Sequence, residues 1–312
     1  VGAGVRVGRR VRVGVAVDGG DGPIGGDCTF TGCVPSKTLL AAAAGGRSFD
    51  DAITRVRAAV DHIAATEDAA ALARDGIDAI AGFARFTSPR EVVVDGTRIG
   101  STRFIVATGA RPLVPPIPGL RDADPLTNET LFQLQQLPRS LTILGGGPIG
   151  CEMAQAFARL GSAVTVVEAA GRLLPRDEPE AGAVIGRALA ADGVIVRTGT
   201  TATRVERQAD GGSVVHTADG TPVESSHLLV AVGRAPAGRG FGLEEIGVAL
   251  DDRGAVTVDD DMSTDVDGIW AVGDVTGRLQ FTHVAGRMGW IAASNALWKP
   301  ARVRPFRLDT RA

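Results

Sequence analysis

Apolar residues recur with two different periods along this chain, and the changes of period mark its elements. Leu141-Thr142-Ile143-Leu144 and Val164-Thr165-Val166-Val167 are short, nearly unbroken apolar runs, with the length and β-branched content of strands buried on both faces. Between them, Met153, Ala156, Phe157 and Leu160 recur at helical spacing over 150–160, and Gly161 closes the helix. Strand, helix and strand in that order predict a βαβ unit and a parallel sheet. A further helix is predicted over 180–191, with strands near 194–196, 204–206, 214–216 and 228–232. Ahead of this block the pattern predicts helices over 38–44 and 53–72 and strands over 77–86, 91–94 and 103–107. Behind it come a strand over 268–272 and a closing helix over 285–297.

Proline and glycine divide the chain. Ala110-Arg111-Pro112-Leu113-Val114-Pro115-Pro116-Ile117-Pro118-Gly119 can continue neither a helix nor a central strand, because proline lacks the N–H both require. A second break falls at Val232-Gly233-Arg234-Ala235-Pro236-Ala237-Gly238. The economical arrangement is one α/β domain interrupted by another: 1–117 and 237–298 as the two parts of the outer domain, 118–236 as the insert, and 299–312 as a tail.

Composition narrows the function classes. At 312 residues the chain can hold two domains of about 150 residues each. With 33 basic and 36 acidic side chains, a net charge of −3 leaves no footprint for nucleic acid or an anionic membrane. No apolar run approaches the roughly 18–20 residues that span a bilayer, and the N-terminus has no signal-peptide pattern, so a cytoplasmic protein is expected. The 42 glycines show no collagen-like period; they fit tight turns and phosphate loops. Only Lys37 and Lys299 are lysines, the other Lys+Arg residues all being arginine; a high-GC coding bias is the favoured account, and it still makes Lys37 a position to examine for a role beyond surface charge.

Two segments carry candidate chemistry. Gly145-Gly146-Gly147-Pro148-Ile149-Gly150 follows a predicted strand and opens a helix, and Glu168 ends the next strand, 23 residues after Gly145. In that setting Gly145, Gly147 and Gly150 let the backbone approach a pyrophosphate at the helix N-terminus, and Glu168 can accept from a ribose 2′-OH. A carboxylate there repels a 2′-phosphate, so NAD is expected over NADP; Arg172 nearby weakens that preference. The bland reading is a tight turn without a ligand. The second segment, Gly25-Gly26-Asp27-Cys28-Thr29-Phe30-Thr31-Gly32-Cys33-Val34-Pro35-Ser36-Lys37, has two cysteines five apart. A regular helix would hold their Cα atoms roughly 8–9 Å apart, beyond the about 7 Å a disulfide tolerates, so they can bridge only in a looped segment, which Gly32 permits. Pro35 suits the first turn of the following helix, and Cys33 just ahead of it stands where the dipole favours a thiolate. A cycling redox pair is the sharper reading; two small core cysteines, or half a metal site, are the others. His62, His216, His227 and His283 show no ligand spacing, so no metal is expected. Cys151 reads as helix packing against the sheet.

These segments, together with Ala107-Thr108-Gly109-Ala110-Arg111-Pro112, Ala231-Val232-Gly233-Arg234-Ala235-Pro236 and Ala271-Val272-Gly273-Asp274, resemble in order the class I pyridine nucleotide–disulfide oxidoreductases. That family includes dihydrolipoamide dehydrogenase, glutathione reductase and mercuric reductase, and the resemblance covers roughly 20–298. It implies an FAD-binding domain interrupted by an NAD-binding domain, both nucleotide-binding and three-layered. It implies FAD as a second cofactor, held by the split outer domain with Asp274 on the ribityl chain, and it places Gly109 and Gly233 among the cofactor-binding residues. It assigns Cys33 as the thiolate beside the flavin and Cys28 as the interchange thiol. Lys37 corresponds to the lysine beside the flavin and Glu152 to its ion-pair partner by the nicotinamide. Without the resemblance, Lys37 reads as a helix-surface residue and Glu152 as a first-turn acid. The implied activity relays electrons between NAD(P)H, flavin and a Cys28–Cys33 disulfide, with a disulfide, a dithiol (small molecule or protein) or a metal ion as the external partner. The alternative is an inactive fragment that keeps only dinucleotide binding.

Both ends depart from the family pattern. Gly2-Ala3-Gly4 has almost no strand before it, Val7 stands where a glycine belongs, and Asp18 follows too soon for an intervening helix and strand. A truncated or frame-shifted N-terminus is the expectation. After Trp298 nothing reads as the family's interface domain, which forms the homodimer and supplies a His–Glu acid–base pair. His283, in Phe281-Thr282-His283-Val284-Ala285, corresponds to the helix near the flavin and not to that base.

Overall fold

The computed structural model describes residues 24–297. In chain order the elements are α1 (Asp27–Phe30), α2 (Cys33–Ala44), α3 (Phe49–Glu67) and α4 (Ala69–Arg74). Then come β1 (Ala84–Ser88), β2 (Glu91–Val94), β3 (Thr97–Gly100), β4 (Phe104–Val106), β5 (Ala110–Pro112) and β6 (Ser140–Leu144). They continue with α5 (Pro148–Leu160), β7 (Ala163–Val167), α6 (Pro179–Ala191), β8 (Ile195–Arg197), β9 (Ala202–Arg207) and β10 (Ser213–Thr217). The last are β11 (Val223–Ser225), β12 (His227–Val230), β13 (Arg234–Pro236), β14 (Ile269–Ala271) and α7 (Thr282–Leu297). The fold is α/β, and the chain forms two compact units.

One unit comprises Asp27–Ile63 and Pro112–Arg234. Its centre is a parallel sheet in the order β12-β6-β7-β8, in register Leu141↔Val164 and Ile143↔Val166. Successive strand residues point to opposite faces, and here each face meets a different layer. Leu141, Ile143, Val166 and Leu229 share a core with Leu39, Phe49, Ile53, Met153 and Phe157 of the helices. Leu144, Val167, Leu228 and Val230 pack with Val205, Val215 and Val223, which belong to the antiparallel sheet β11-β10-β9. The β6 and β7 runs are apolar at nearly every position because both faces are covered. The segment 27–63, grouped by the linker argument with the outer parts, packs with the middle of the chain. α2 and α3 bury Leu39, Ala42, Phe49, Ile53 and Val56 against α5.

The other unit comprises Ala64–Arg111 and, after Arg234, the rest of the described chain. It holds the antiparallel sheet β1-β2-β3 and the parallel pair β14-β4. Its core joins Phe86, Val92, Val106, Phe241, Val256 and Ile269. α7 seats Val284, Met288, Ile291 and Ala292 against Met262 and Val272.

The elements differ from the sequence expectation at identifiable places. The helix expected over 53–72 begins at Phe49 and breaks at Asp68, whose carboxylate caps α4 by accepting from the Ala71 N–H at 2.7 Å. The strand expected over 77–86 is confined to Ala84–Ser88. β3 and β11, short partners in antiparallel ribbons, have no apolar run of their own to announce them. No helix among the described residues is long and apolar enough to cross a membrane.

Candidate functional site

The glycine turn between β6 and α5 is built from two kinds of glycine. Gly145 has φ +108°, and any side chain on it would collide with the Ala231 carbonyl; one on Gly150 would collide with the Gly145 carbonyl. Both are needed for strand, turn and helix to close on one another. Gly147, the residue before the first helical turn, has φ −76°, and a side chain there would meet nothing within 4 Å. Its bareness leaves open ground in front of the helix N-terminus, where unpaired backbone N–H groups and the dipole favour an anion. Pro148 at the first helical position costs no hydrogen bond.

Glu168, just past β7, closes the turn from the side. One carboxylate oxygen accepts from the Gly146 N–H and the other from the Ala170 N–H, each at 2.6 Å. These bonds fix the direction of the carboxylate and leave further lone pairs for a hydroxyl. Arg172 does not face outward as a phosphate ligand. Its guanidinium donates to the carbonyls of Leu174, Pro175 and Asp177 at 2.9, 3.0 and 2.7 Å, so it is spent on folding its own loop. Cys151 is buried in α5 and donates its thiol to the Gly146 carbonyl at 3.4 Å. Burial, with Glu168 and Glu152 nearby, pushes that thiol up to about 11, so it stays protonated at neutral pH.

The two cysteines lie on adjoining helical turns. Cys28 is half-buried in the single turn of α1, and Cys33 is exposed as the first residue of α2, with Gly32 between them. A side chain on Gly32 would stand 2.7 Å from the Asp27 carbonyl and 3.2 Å from the Cys28 Cα, so glycine lets the turn fold back on itself. Cys33, expected just ahead of the helix, is therefore its first residue, five residues before the apolar pattern begins at 38. Lys37, one turn further on, reaches α5: its Nζ meets both Glu152 oxygens at 2.7 and 2.8 Å. Two residues 115 apart in sequence thus join the second turns of α2 and α5, and Glu152 is not the first-turn acid that the sequence suggests. No argument from spacing alone could pair them.

Other residues touch the cysteine loop that the motif reading passes over. Asp27 is ion-paired with Arg234 and accepts from the Thr31 hydroxyl at 3.0 Å. Asn128 donates to the carbonyl and hydroxyl oxygens of Thr31 at 3.4 and 3.3 Å. Arg234 had a signal, since it lies in a quoted motif; Asn128 had none.

In the other unit, Asp274 is half-buried in a short 3-10 turn, Gly273–Thr276, directly after β14. Gly273 has φ +74° and its N–H meets Met288 Sδ of α7 at 3.3 Å. Gly109 also has φ +74° with open space where a side chain would be. Its carbonyl accepts from the Ala237 N–H, while Thr108 donates to the Ala237 carbonyl at 2.6 Å. Gly233, back in the first unit, combines φ +135° with open space of the same kind. The Gly2–Gly4 fingerprint, Asp18 and the 299–312 tail lie outside the described residues.

The family model for the pyridine nucleotide-disulphide oxidoreductases matches residues 3–289. Among curated proteins, mercuric reductase of Streptomyces lividans is 39% identical over 303 residues, covering 88% of this chain and 63% of that protein. Dihydrolipoyl dehydrogenase of Thermus scotoductus is 35% identical, covering 89% and 64%. Among solved structures, the HOCl-induced flavoprotein disulfide reductase RclA of Escherichia coli is similar with TM-score 0.87 and 34% identity, covering 96% of this chain and 67% of that one. LpdA of Mycobacterium tuberculosis follows at TM-score 0.84 and 31% identity, covering 95% and 68%. The chain spans about half to two thirds of the length of the curated relatives it matches.

Proposed function

We propose, from the premise that this chain belongs to the pyridine nucleotide-disulphide oxidoreductase family, that it works as an NAD(P)H-dependent flavoprotein with Cys28 and Cys33 as its redox couple. The observation that carries this reading is the Lys37–Glu152 bridge. It ties the helix that begins at Cys33 to the helix that begins at the glycine turn. In this reading 118–236 is the dinucleotide domain, and 1–117 with 237–298 is the FAD domain.

The glycine turn fits a dinucleotide, and part of a flavin site stands among the described residues. Gly147 leaves the cradle that a side chain would fill, and the α5 N-terminus complements a pyrophosphate. Gly109 and the Gly273–Asp274 turn would stand on the FAD side, with Asp274 as the acceptor for a flavin chain hydroxyl, and Gly233 would be a cofactor-binding position of the dinucleotide domain. Bound together, nicotinamide and flavin supply hydride and two-electron transfer. The chain's own share is to orient and to hold charge. Glu168 would accept from the ribose hydroxyls of NAD, and Arg172, engaged by three carbonyls of its own loop, offers nothing to a 2′-phosphate; NAD is therefore preferred over NADP. Lys37 and Glu152 would keep the two helix N-termini in register. Cys28 and Cys33 would store two electrons as a dithiol and release them, with two protons, on forming one S–S bond. The external partner is a disulfide, a dithiol or a metal ion, and the setting a homodimer in the cytoplasm.

The test is the spectrum of the purified protein. A flavin absorbance that bleaches with NADH, more readily than with NADPH, supports the reading. Cys33→Ser should abolish the long-wavelength thiolate–flavin band of the reduced enzyme, and Cys28→Ser should keep it; the reverse pattern exchanges the two roles. Colourless protein that still binds NADH would leave a dinucleotide-binding chain without turnover.

A further inference from the structure

The cysteine loop is held from both ends by residues far away in sequence. Asn128 donates to Thr31, the Thr31 hydroxyl donates to Asp27 Oδ1, and the other Asp27 oxygen receives Arg234. Cys28 lies between the two clamped residues, and Cys33 follows two residues after Thr31. The clamp stands on a firm base. Leu126, two residues before Asn128, docks as an extra strand position against β12: its N–H meets the Leu228 carbonyl at 2.7 Å, and its own carbonyl accepts from Val230 at 2.8 Å. Arg234 leaves the same strand four residues after its end. Asn128 is buried and Arg234 is 14% exposed, while the Asp27 side chain is 40% exposed, so the distant partners are themselves firmly seated where they reach the loop.

We propose that Asn128 and Arg234 are positioning residues that act through Thr31 and Asp27 to set the reduction potential of the Cys28–Cys33 couple. This rests on the redox reading above. Forming the disulfide converts two S–H bonds into one S–S bond and passes two electrons and two protons to the oxidant. Its equilibrium depends on how often the two sulfurs meet, which is an effective concentration. A loop already pinned at Asp27 and Thr31 has lost much of the freedom that closure would cost. Releasing the clamp should make the disulfide easier to reduce.

The experiment equilibrates the full chain in mixtures of reduced and oxidised dithiothreitol, quenches with an alkylating reagent, and counts labelled Cys28 and Cys33 by mass. Oxidised dithiothreitol takes up the two electrons and two protons and becomes its dithiol. Removing the part-buried charge-assisted bond in Arg234→Met should lower the disulfide equilibrium constant about tenfold, or about 30 mV. Asn128→Ala, which loses two longer bonds, should lower it about threefold. Arg234→Lys should recover part of the loss, because a cation remains. If Arg234→Met fails to fold, Asn128→Ala carries the test. The readout needs neither flavin nor turnover, so a colourless protein leaves it intact. A wild-type disulfide whose equilibrium neither variant shifts, with only the melting temperature lowered, overturns the clamp and spares the redox reading. A wild-type chain that stays a dithiol at every ratio overturns both.

Discussion

The turn at Gly145–Gly150 and the loop at Cys28–Cys33 are held in opposite ways. The turn is shaped mainly by its own backbone and by the end of the next strand: Gly150 fits beneath the Gly145 carbonyl and Glu168 pins Gly146, with the Ala231 carbonyl closing in on Gly145 from further along the chain. The loop draws its order from Asn128 and Arg234, 97 residues beyond Thr31 and 207 beyond Asp27. A local device can be recognised from a short motif, because the residues that build it are the motif. A device held at long range shows only its reactive half in the sequence.

The contrast is broken most forcefully at the turn. Gly150→Ala drives a methyl into the Gly145 carbonyl and should cost about 3 kcal/mol, read as a lowered denaturation midpoint. Gly147→Ala places its methyl in open space and should change stability by about 1 kcal/mol at most. It should still weaken NADH binding more than tenfold, because that space is where a pyrophosphate would sit. Nucleotide fluorescence titration separates the two, and full NADH affinity in Gly147→Ala removes the cradle from the argument. A smaller effect tests the bridge between the regions. Lys37 and Glu152 are 60% and 30% exposed, so Glu152→Gln should cost less than about 1 kcal/mol. NADH-driven bleaching should nonetheless slow about tenfold, as a misplaced reacting group would. Equal rates in the variant would reduce the pair to a surface contact.

How much was legible follows the same division. β6, α5 and β7 were found within a residue or two, because burial on both sheet faces and a helical stripe leave unmistakable periods. Gly145, Gly147, Gly150 and Glu168 come together as the motif implied. Lys37 and Glu152 are joined as the family resemblance implied, though neither residue carries a local sign of the other. Arg172, close to Glu168 in sequence, is directed elsewhere. Proximity along the chain says nothing of direction, and its guanidinium turns back on the 174–177 carbonyls. Pro35 lies in the first turn of α2 as its residue type suggests, and Cys33, expected just ahead of the helix, is its first residue; the apolar pattern alone marks the helix only from 38. β3 and β11 escape sequence reasoning because their antiparallel partners supply most of the apolar surface, whereas the Asp68 cap is a local bond to Ala71 hidden by an apolar pattern that runs on past it to Leu72.

The smallest expected effect tests whether the turn is as self-sufficient as its geometry suggests. α5 is anchored at its far end by Asp192, which accepts from Gln155 at 2.8 Å and from Arg159 at 3.0 Å. The Arg159 hydrogen bond, aided by Gln155 and the Arg159 charge, holds the Asp192 carboxyl below its ordinary value. A carboxyl depressed in the folded state contributes stability that is present above its unfolded value near 3.8. That contribution is lost as the pH falls through the lower folded value. Asp192→Asn should therefore flatten the decline of stability over the acid range, measured by denaturant unfolding between neutral pH and the onset of acid unfolding. NADH affinity at neutral pH should stay within about twofold, since nothing at Gly145–Gly150 contacts the anchor. A large loss of affinity would mean that the turn, like the cysteine loop, is held from a distance.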